Sequence, residues 1–165
     1  MRATVTIELQ PYLHDFLYHE FGCPRSDEAV IIKASNDMGR FIQSMITVTD
    51  RPPKQAIKEN PITLALPVQE WNHFLFRDNF IYIPEWKQRL IQNSVEASFR
   101  LRIREYFMAG YAKGYKQDRI IRAFLMAYNI KNNVTNYDQV KKYDYRNRQK
   151  AIKEVKRDIQ NVLKS

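Results

Sequence analysis

The sequence has little cysteine and little glycine. Its one cysteine, Cys23, excludes an internal disulfide and any multi-cysteine zinc or iron–sulfur site. Its four glycines form none of the glycine-rich motifs that bring backbone amides against phosphate groups. Its three histidines lack the spacing of metal ligands, and no serine or cysteine stands in a known nucleophile motif. We therefore expect a protein without catalytic activity, cofactor or bound metal.

Long apolar runs are also missing. No segment approaches the roughly 20 apolar residues that a membrane-spanning helix needs. The first ten residues, MRATVTIELQ, alternate between apolar and polar side chains, unlike the apolar core of a signal peptide. We expect a cytoplasmic protein that does not enter a membrane. The 165 residues are 44% apolar and 27% charged, which is typical of a folded globular chain.

The positive charge is concentrated in one half of the chain. Residues 1–84 contain 8 Lys and Arg against 10 Asp and Glu, whereas residues 85–165 contain 19 against 8. The second half therefore carries a net charge of +11, and the whole chain carries +9. Strongly basic segments commonly bind nucleic acid or anionic membranes. We predict a strand-rich, near-neutral domain over 1–83, which supports its neighbour or contacts a protein, and a basic helical nucleic-acid-binding domain over 84–165.

Alternation and turn residues predict an α+β fold. The first half is expected to hold a small, mostly antiparallel sheet with one or two helices. A short helix is predicted to begin at Pro11 and to end near Gly22. The strands are predicted at residues 4–9, 29–33, 40–48, 61–66 and 80–83.

The second half is predicted to form a three-helix unit. Apolar residues at helical spacing predict helices over 84–110 and 117–128, and a third from Thr135 to Leu163. Thr135, with Asp138 three residues later, resembles a capping box with Asp in place of Glu. The second and third helices, joined by a polar connector, have the layout of a helix-turn-helix. An αα-hairpin in an interaction domain would give the same pattern.

One face of the predicted third helix is cationic from end to end. A solvated face usually mixes both signs of charge, so this pattern favours a nucleic-acid contact over a plain lysine-rich surface. In a helix-turn-helix, early residues of the second helix meet base edges, and flanking cations meet phosphates. The predicted nucleic-acid-binding residues are Asn136, Gln139, Lys142, Tyr143, Arg146, Lys150, Lys153 and Arg157.

Two segments carry a family resemblance. DRIIRAFLMAYNI at 118–130, followed by YDQVKK at 137–142, resembles small helix-turn-helix-like DNA-binding proteins of phages and mobile elements. In those proteins a helix ending in Tyr-Asn-Ile and a Tyr-Asp-x-Leu-Lys-Lys segment precede a basic helix. The resemblance covers roughly residues 115–150 and carries over no catalytic residue. It implies a non-enzymatic DNA-binding protein, such as a transcription regulator or accessory factor of a phage or mobile element.

The predicted partner is duplex DNA, and the first half is a candidate for homodimer contacts. One alternative is RNA or single-stranded nucleic acid, since Tyr137, Tyr143 and Tyr145 stand among cations and bases stack on tyrosine rings. Another is a structural or assembly protein whose basic face binds an acidic protein. Membrane-surface binding fits less well, because the face opposite the cations is expected in a core and carries no tryptophan anchor.

Overall fold

The computed structural model describes residues 2–54, 56, 58–70 and 72–165, with the backbone alone at residues 2 and 148–151. The fold is α+β, as predicted. The elements in chain order are β1 (Arg2–Glu8), α1 (Pro11–Glu20), β2 (Val30–Ile31), α2 (Asp37–Ser44), β3 (Thr47–Thr49), β4 (Pro61–Pro67), α3 (His73–Arg77), β5 (Phe80–Tyr82), α4 (Glu85–Ala112), α5 (Gln117–Ala127), α6 (Val134–Lys141), a 3₁₀ turn (Tyr145–Arg148) and α7 (Gln149–Lys164).

The chain divides into two compact units. Unit 1 comprises residues 1–99 and unit 2 comprises residues 100–165, so that the division falls within α4. The predicted boundary at residue 83 marks a different feature, the point after which the described residues contain no further strand. Unit 1 carries a net charge of −2 and unit 2 carries +11, so the whole positive excess belongs to unit 2.

The strands of unit 1 form a small, mostly antiparallel sheet and a separate ribbon. In the three-stranded sheet, β1 runs antiparallel to the central strand β4, and β2 runs parallel to β4 on its other side. β3 and β5 form a two-stranded antiparallel ribbon. The alternation predicted for the first strand is confirmed, because Val5, Ile7 and Leu9 are all buried. Such alternation places every second side chain on the same face of a strand.

The core of unit 1 joins the sheet to its first helix and to the start of α4. Leu13, Phe16 and Leu17 of α1 are buried, and the chain turns after that helix at Gly22, whose φ of 62° favours glycine. The ring of Phe99 meets that of Phe16 edge-on, with centroids 5.4 Å apart. Burying each of these large apolar side chains contributes roughly 1.5–3 kcal/mol to folding.

The strand predicted over 40–48 is wrong, because most of that segment is the helix α2. Asn36 caps this helix by accepting a hydrogen bond from the amide of Gly39 at 2.6 Å. A Cβ on Gly39 would lie 1.8 Å from the carbonyl oxygen of Lys33, so the close approach requires glycine. With α1 and α3, the described part of unit 1 has three helices before α4, where one or two were expected.

The first two helices of the basic half are confirmed. α4 buries Ile103 and Phe107 in unit 2, and α5 buries Ile120, Ile121, Phe124 and Leu125. The ring of Tyr106 meets that of Phe124 edge-on, with centroids 5.1 Å apart. α5 ends before Asn129, which adopts a left-handed conformation with φ of 53°. No helix among the described residues combines the length and apolarity needed to cross a membrane.

The single third helix predicted from Thr135 to Leu163 is wrong. The segment is α6, a turn, the 3₁₀ turn and α7, so the basic half is not the three-helix unit expected. The N-cap of α6 is Asn133, which accepts from the amide of Asn136 at 2.8 Å, and the capping box proposed at Thr135 is not formed. The break follows from the burial of Asp144, which lies between the two helices with 1% of its surface exposed.

Candidate nucleic-acid interface

The surface of unit 2 is dominated by cations. The unit has 17 Lys and Arg against 6 Asp and Glu. Every Lys and Arg side chain that the structure describes in this unit is exposed. Three arginines pair with acids of the same unit, in Arg102–Glu105, Arg122–Asp118 and Arg146–Asp144, so half of the few acids are already engaged. The remaining cations give this surface a positive potential that attracts polyanions.

Asp144 is the centre of the hydrogen-bond network that shapes this surface. Its carboxylate accepts from the hydroxyl of Tyr111 at 2.5 Å and from the amide nitrogen of Gln117 at 2.9 Å. It also accepts from the backbone N–H of Arg146 at 3.0 Å and from the guanidinium of Arg146 at 3.3 Å. Tyr111 is on α4 and Gln117 begins α5. The network therefore fixes the turn after α6 against both helices.

The pKa values in this network keep Asp144 charged. Burial raises the pKa of Asp144, but the hydrogen bonds from Tyr111, the backbone of Arg146 and Gln117 outweigh burial, and the net pKa lies below its ordinary value. Burial, followed by the hydrogen bond to the carboxylate of Asp144, raises the pKa of Tyr111, so its hydroxyl stays protonated and donates. At neutral pH the buried site therefore holds one negative charge, which the guanidinium of Arg146 balances.

The guanidinium of Arg146 has partners within the chain, although about half of the side chain is exposed. Its guanidinium carbon lies 3.6 Å from the centroid of the Tyr111 ring, and it also donates to the hydroxyl of Tyr111. Together with the ion pair to Asp144, these contacts orient the side chain, of which 48% remains exposed. The exposed part can meet a phosphate, whereas a base contact would require Arg146 to give up its internal partners.

Two other predicted base-reading residues also have internal partners. The side-chain amide of Asn136 donates to the backbone oxygen of Lys131 at 2.9 Å and closes the connector before α6. The side-chain amide of Gln139 donates to the hydroxyl of Tyr143 at 3.3 Å. Both residues are half-buried. Contact with base edges would require these side-chain amides to share or exchange their present partners.

Tyr143 is half-buried and has two cations near its ring. The guanidinium of Arg100 lies 5.2 Å from its ring centroid, and the ammonium of Lys142 lies 5.1 Å from it. Cations attract the face of an aromatic ring at such distances. Lys142 itself is exposed at the end of α6, so its charge faces solvent at the point where the chain turns.

The remaining predicted residues belong to α7. Lys153 and Arg157 are exposed and lie four residues apart, on one face of this helix. The side chain of Lys150 lies outside the described residues. A single helix was predicted to carry these cations in line with Lys142. Because the helix breaks after α6, they do not lie along one helix axis.

The helix pair α5–α6 is joined by a second polar contact. The hydroxyl of Tyr137 donates to the carboxylate of Asp118 at 2.8 Å. Arg122 pairs with the same carboxylate at 2.9 Å, and its guanidinium lies 5.7 Å from the Tyr137 ring centroid. The hydrogen bonds from Arg122 and Tyr137 lower the pKa of Asp118, so the carboxylate stays charged. This exposed cluster connects the start of α5 to α6.

Sequence reasoning missed the Asp144 network. Tyr111 and Gln117 lie 33 and 27 residues from Asp144, and each looks like an ordinary polar residue in its own segment. The available signal was an acid on the apolar side of the assumed third helix, because an acid in that position needs hydrogen-bond donors around it. In the described residues, no group of three or more His, Cys, Asp or Glu is placed to hold a metal ion.

Comparison with known proteins identifies no relative of this chain. No protein-family model, no curated protein and no solved structure matches this chain.

Proposed function

We propose that this chain is a non-enzymatic protein that binds duplex DNA through the basic surface of unit 2. The observation that carries the proposal is the charge of that unit: all its described Lys and Arg side chains are exposed, and it has only six acids. Such a surface releases counterions from the phosphate backbone, which is the main source of affinity for duplex DNA. The role of regulator or accessory factor of a phage or mobile element follows the resemblance of residues 115–150.

The helix pair α5–α6 is the proposed helix-turn-helix element. α6 has eight residues and is about 12 Å long, so it can place few side chains in a groove. Asn136, Gln139 and Arg146 are engaged within the chain, whereas Lys142 and the α7 cations from Lys153 onward face solvent. We therefore assign most of the affinity to phosphate contacts and expect weak discrimination between sequences.

Salt dependence tests this assignment. Five phosphate contacts, from Lys142, Arg146, Lys150, Lys153 and Arg157, give an expected slope of log affinity against log salt of about −4 to −5. The measurement is fluorescence anisotropy of a labelled duplex of mixed sequence, titrated with the full chain at several salt concentrations.

A charge-matched pair of variants localises the contact. Lys153→Ala with Arg157→Ala should reduce the magnitude of the slope by about 2, because each phosphate contact contributes roughly 0.9. Lys33→Ala with Arg51→Ala removes the same charge from exposed positions of unit 1 and should leave the slope unchanged. Equal losses in the two variants would refute a contact specific to α7.

A competition assay distinguishes duplex DNA from single-stranded DNA and RNA as the preferred ligand. Unlabelled duplex should displace the probe more effectively than single-stranded DNA or RNA of the same length. Tyr115 is 49% exposed, with the guanidinium of Arg119 5.3 Å from its ring centroid, and this arrangement would suit an unstacked base. Stronger competition by a single strand or by RNA would therefore replace the duplex proposal with the single-strand one.

A further inference from the structure

α7 carries an apolar stripe that faces solvent. Val155, Ile159, Val162 and Leu163 are 57%, 53%, 71% and 81% exposed, and Ile152 is half-buried. At 100° per residue these five side chains fall within an arc of about 100° along one side of the helix. Contiguous exposed apolar surface of this kind marks an interaction site. The stripe is therefore a surface that needs a partner.

Unit 2 also contains an open apolar groove between α4 and α5. The groove has a volume of about 580 Å³. We call the small or aliphatic part of its lining the floor, namely Ala109, Gly110, Ile120 and Ala123; Tyr106 and Tyr115 also line the groove. Four exposed charged residues also line it, namely the cations Arg102, Lys113 and Arg119 and the acid Glu105, which is paired with Arg102. Small side chains on the floor allow another helix to approach closely, as helix–helix packing at 8–10 Å requires.

The stripe and the groove match in length. Ile152 and Leu163, the ends of the stripe, are eleven residues apart, which corresponds to about 16 Å of helix. Along α4 the groove extends from Arg102 to Lys113, which directly follows the last residue of the helix. These two residues are also eleven residues apart. A helix laid along the groove would therefore contact it over the whole length of the stripe.

The stripe and the groove also match in charge. Glu154 and Asp158 lie on one flank of the stripe. Around the helix axis, Asp158 is about 40° and Glu154 about 80° from Val162, on the side away from Leu163. Lys113 and Arg119, the groove cations outside the Arg102–Glu105 ion pair, provide opposite charges for this acidic flank. Lys153 and Arg157 lie on the other side of the helix and would remain in solvent when the stripe is buried.

We infer that two copies of this chain associate by reciprocal exchange of α7, each copy laying its apolar stripe in the α4–α5 groove of the other. A reciprocal exchange closes into a two-fold dimer, since the same patch and the same groove are used twice. Within one chain the stripe is exposed and the groove is open, so neither is filled by the other. The inference is independent of nucleic-acid binding and leaves the cations of α7 accessible.

Disulfide trapping between two variants tests this arrangement. Both variants of the full chain carry Cys23→Ser, one with Ile159→Cys on the stripe and the other with Ala109→Cys on the groove floor. Mild oxidation of the mixture, without nucleic acid, should give a cross-linked pair of about twice the chain mass, which neither variant gives alone. Light scattering of the unmodified chain should show the same doubling without a cross-link.

Single substitutions test whether the stripe and the groove form the dimer contact. Ile159→Asp should give a monomer, whereas Asn161→Asp, which adds the same charge on the opposite side of α7, should remain a dimer. Ala123→Trp should fill the groove and also give a monomer. All three positions are exposed, and circular dichroism checks that each variant keeps its helix content.

Three results would overturn the inference. The first is an unmodified chain that remains monomeric up to its solubility limit. The second is an Ile159→Cys variant that cross-links to itself, which would mean that two α7 helices pair directly. The third is a chain with both cysteines that closes a disulfide within one monomer. Because no nucleic acid is present, each result leaves the DNA-binding proposal to its own test.

Discussion

Replacing Asp144 with asparagine removes the buried charge of the network while keeping the size of the side chain. The carboxylate accepts from Tyr111, Gln117 and both the backbone and the guanidinium of Arg146. An asparagine presents one oxygen and one NH₂ group, so at least one of these donors would face another donor. The guanidinium of Arg146 would also lose its counterion.

The expected loss of stability is large for one substitution. A hydrogen bond to a charged group contributes about 1.5–3 kcal/mol, and bonds in one network are not additive. We expect Asp144→Asn to lower the free energy of unfolding by about 3 kcal/mol. With a urea dependence of about 1–2 kcal/mol per molar, the midpoint of denaturation should fall by about 2 M. Far-UV circular dichroism in a urea titration measures this change.

The matched control is Asp138→Asn on α6. Asp138 is an exposed acid in the same unit, so the same chemical change there should alter stability by less than about 0.5 kcal/mol. Equal midpoints for the two variants would refute the argument that Asp144 holds α4, α5 and the turn after α6 together.

The effect should also depend on pH. The pKa of Asp144 in the folded chain lies below its ordinary value of 3.8, so the charged form stabilises the fold above that value. As pH falls through the folded-state pKa, the carboxylate takes up a proton and its contribution is lost. The stability difference between the original chain and Asp144→Asn should therefore be constant from neutral pH to about pH 5 and shrink below about pH 4. A difference that grew with acid would contradict this sign.

Two further substitutions test the packing of unit 2. Asn133→Ala removes the N-cap of α6 and should cost about 1 kcal/mol, seen as faster hydrogen exchange in the first turn of α6, whereas Thr135→Ala should have little effect on those amides. Gly110→Ala places a Cβ 2.5 Å from Ile120 and should cost about 1–3 kcal/mol in urea denaturation, although glycine to alanine in a helix interior usually stabilises. An unchanged or raised midpoint would show that Ile120 can move aside.

Elements with a long regular pattern could be predicted from the sequence. β1 alternates strictly, and α4 buries Ile91, Val95, Phe99, Ile103 and Phe107 at four-residue intervals. In both elements, local backbone geometry alone determines which side chains share a face. Local signals also predict α1, which begins at Pro11, and α5, which contains the apolar cluster at 120–125.

Elements defined by one side chain could not be predicted in this way. The segment 40–48 was predicted as a strand because it follows a turn-like stretch at 35–39, but Asn36 in that stretch caps a helix instead. The break after α6 contains neither proline nor glycine, so a helical wheel continues through it. It arises because Asp144 is drawn to donors from Tyr111 and Gln117, which no local pattern connects to it. For the same reason the internal partners of Arg146 were not foreseen.

The regular spacing of the buried residues in α4 has a consequence for how the length of the chain can vary. One residue inserted into an α-helix turns everything beyond it by 100° and moves it by 1.5 Å. Within α4 the buried residues of each unit lie four residues apart, so an insertion among them moves part of the set off its buried face. In the turn at Gly114, whose φ is 79°, extra residues do not shift the helical register within α4 or α5. Insertions and deletions between related sequences should therefore accumulate at 113–116 and avoid the helix before it.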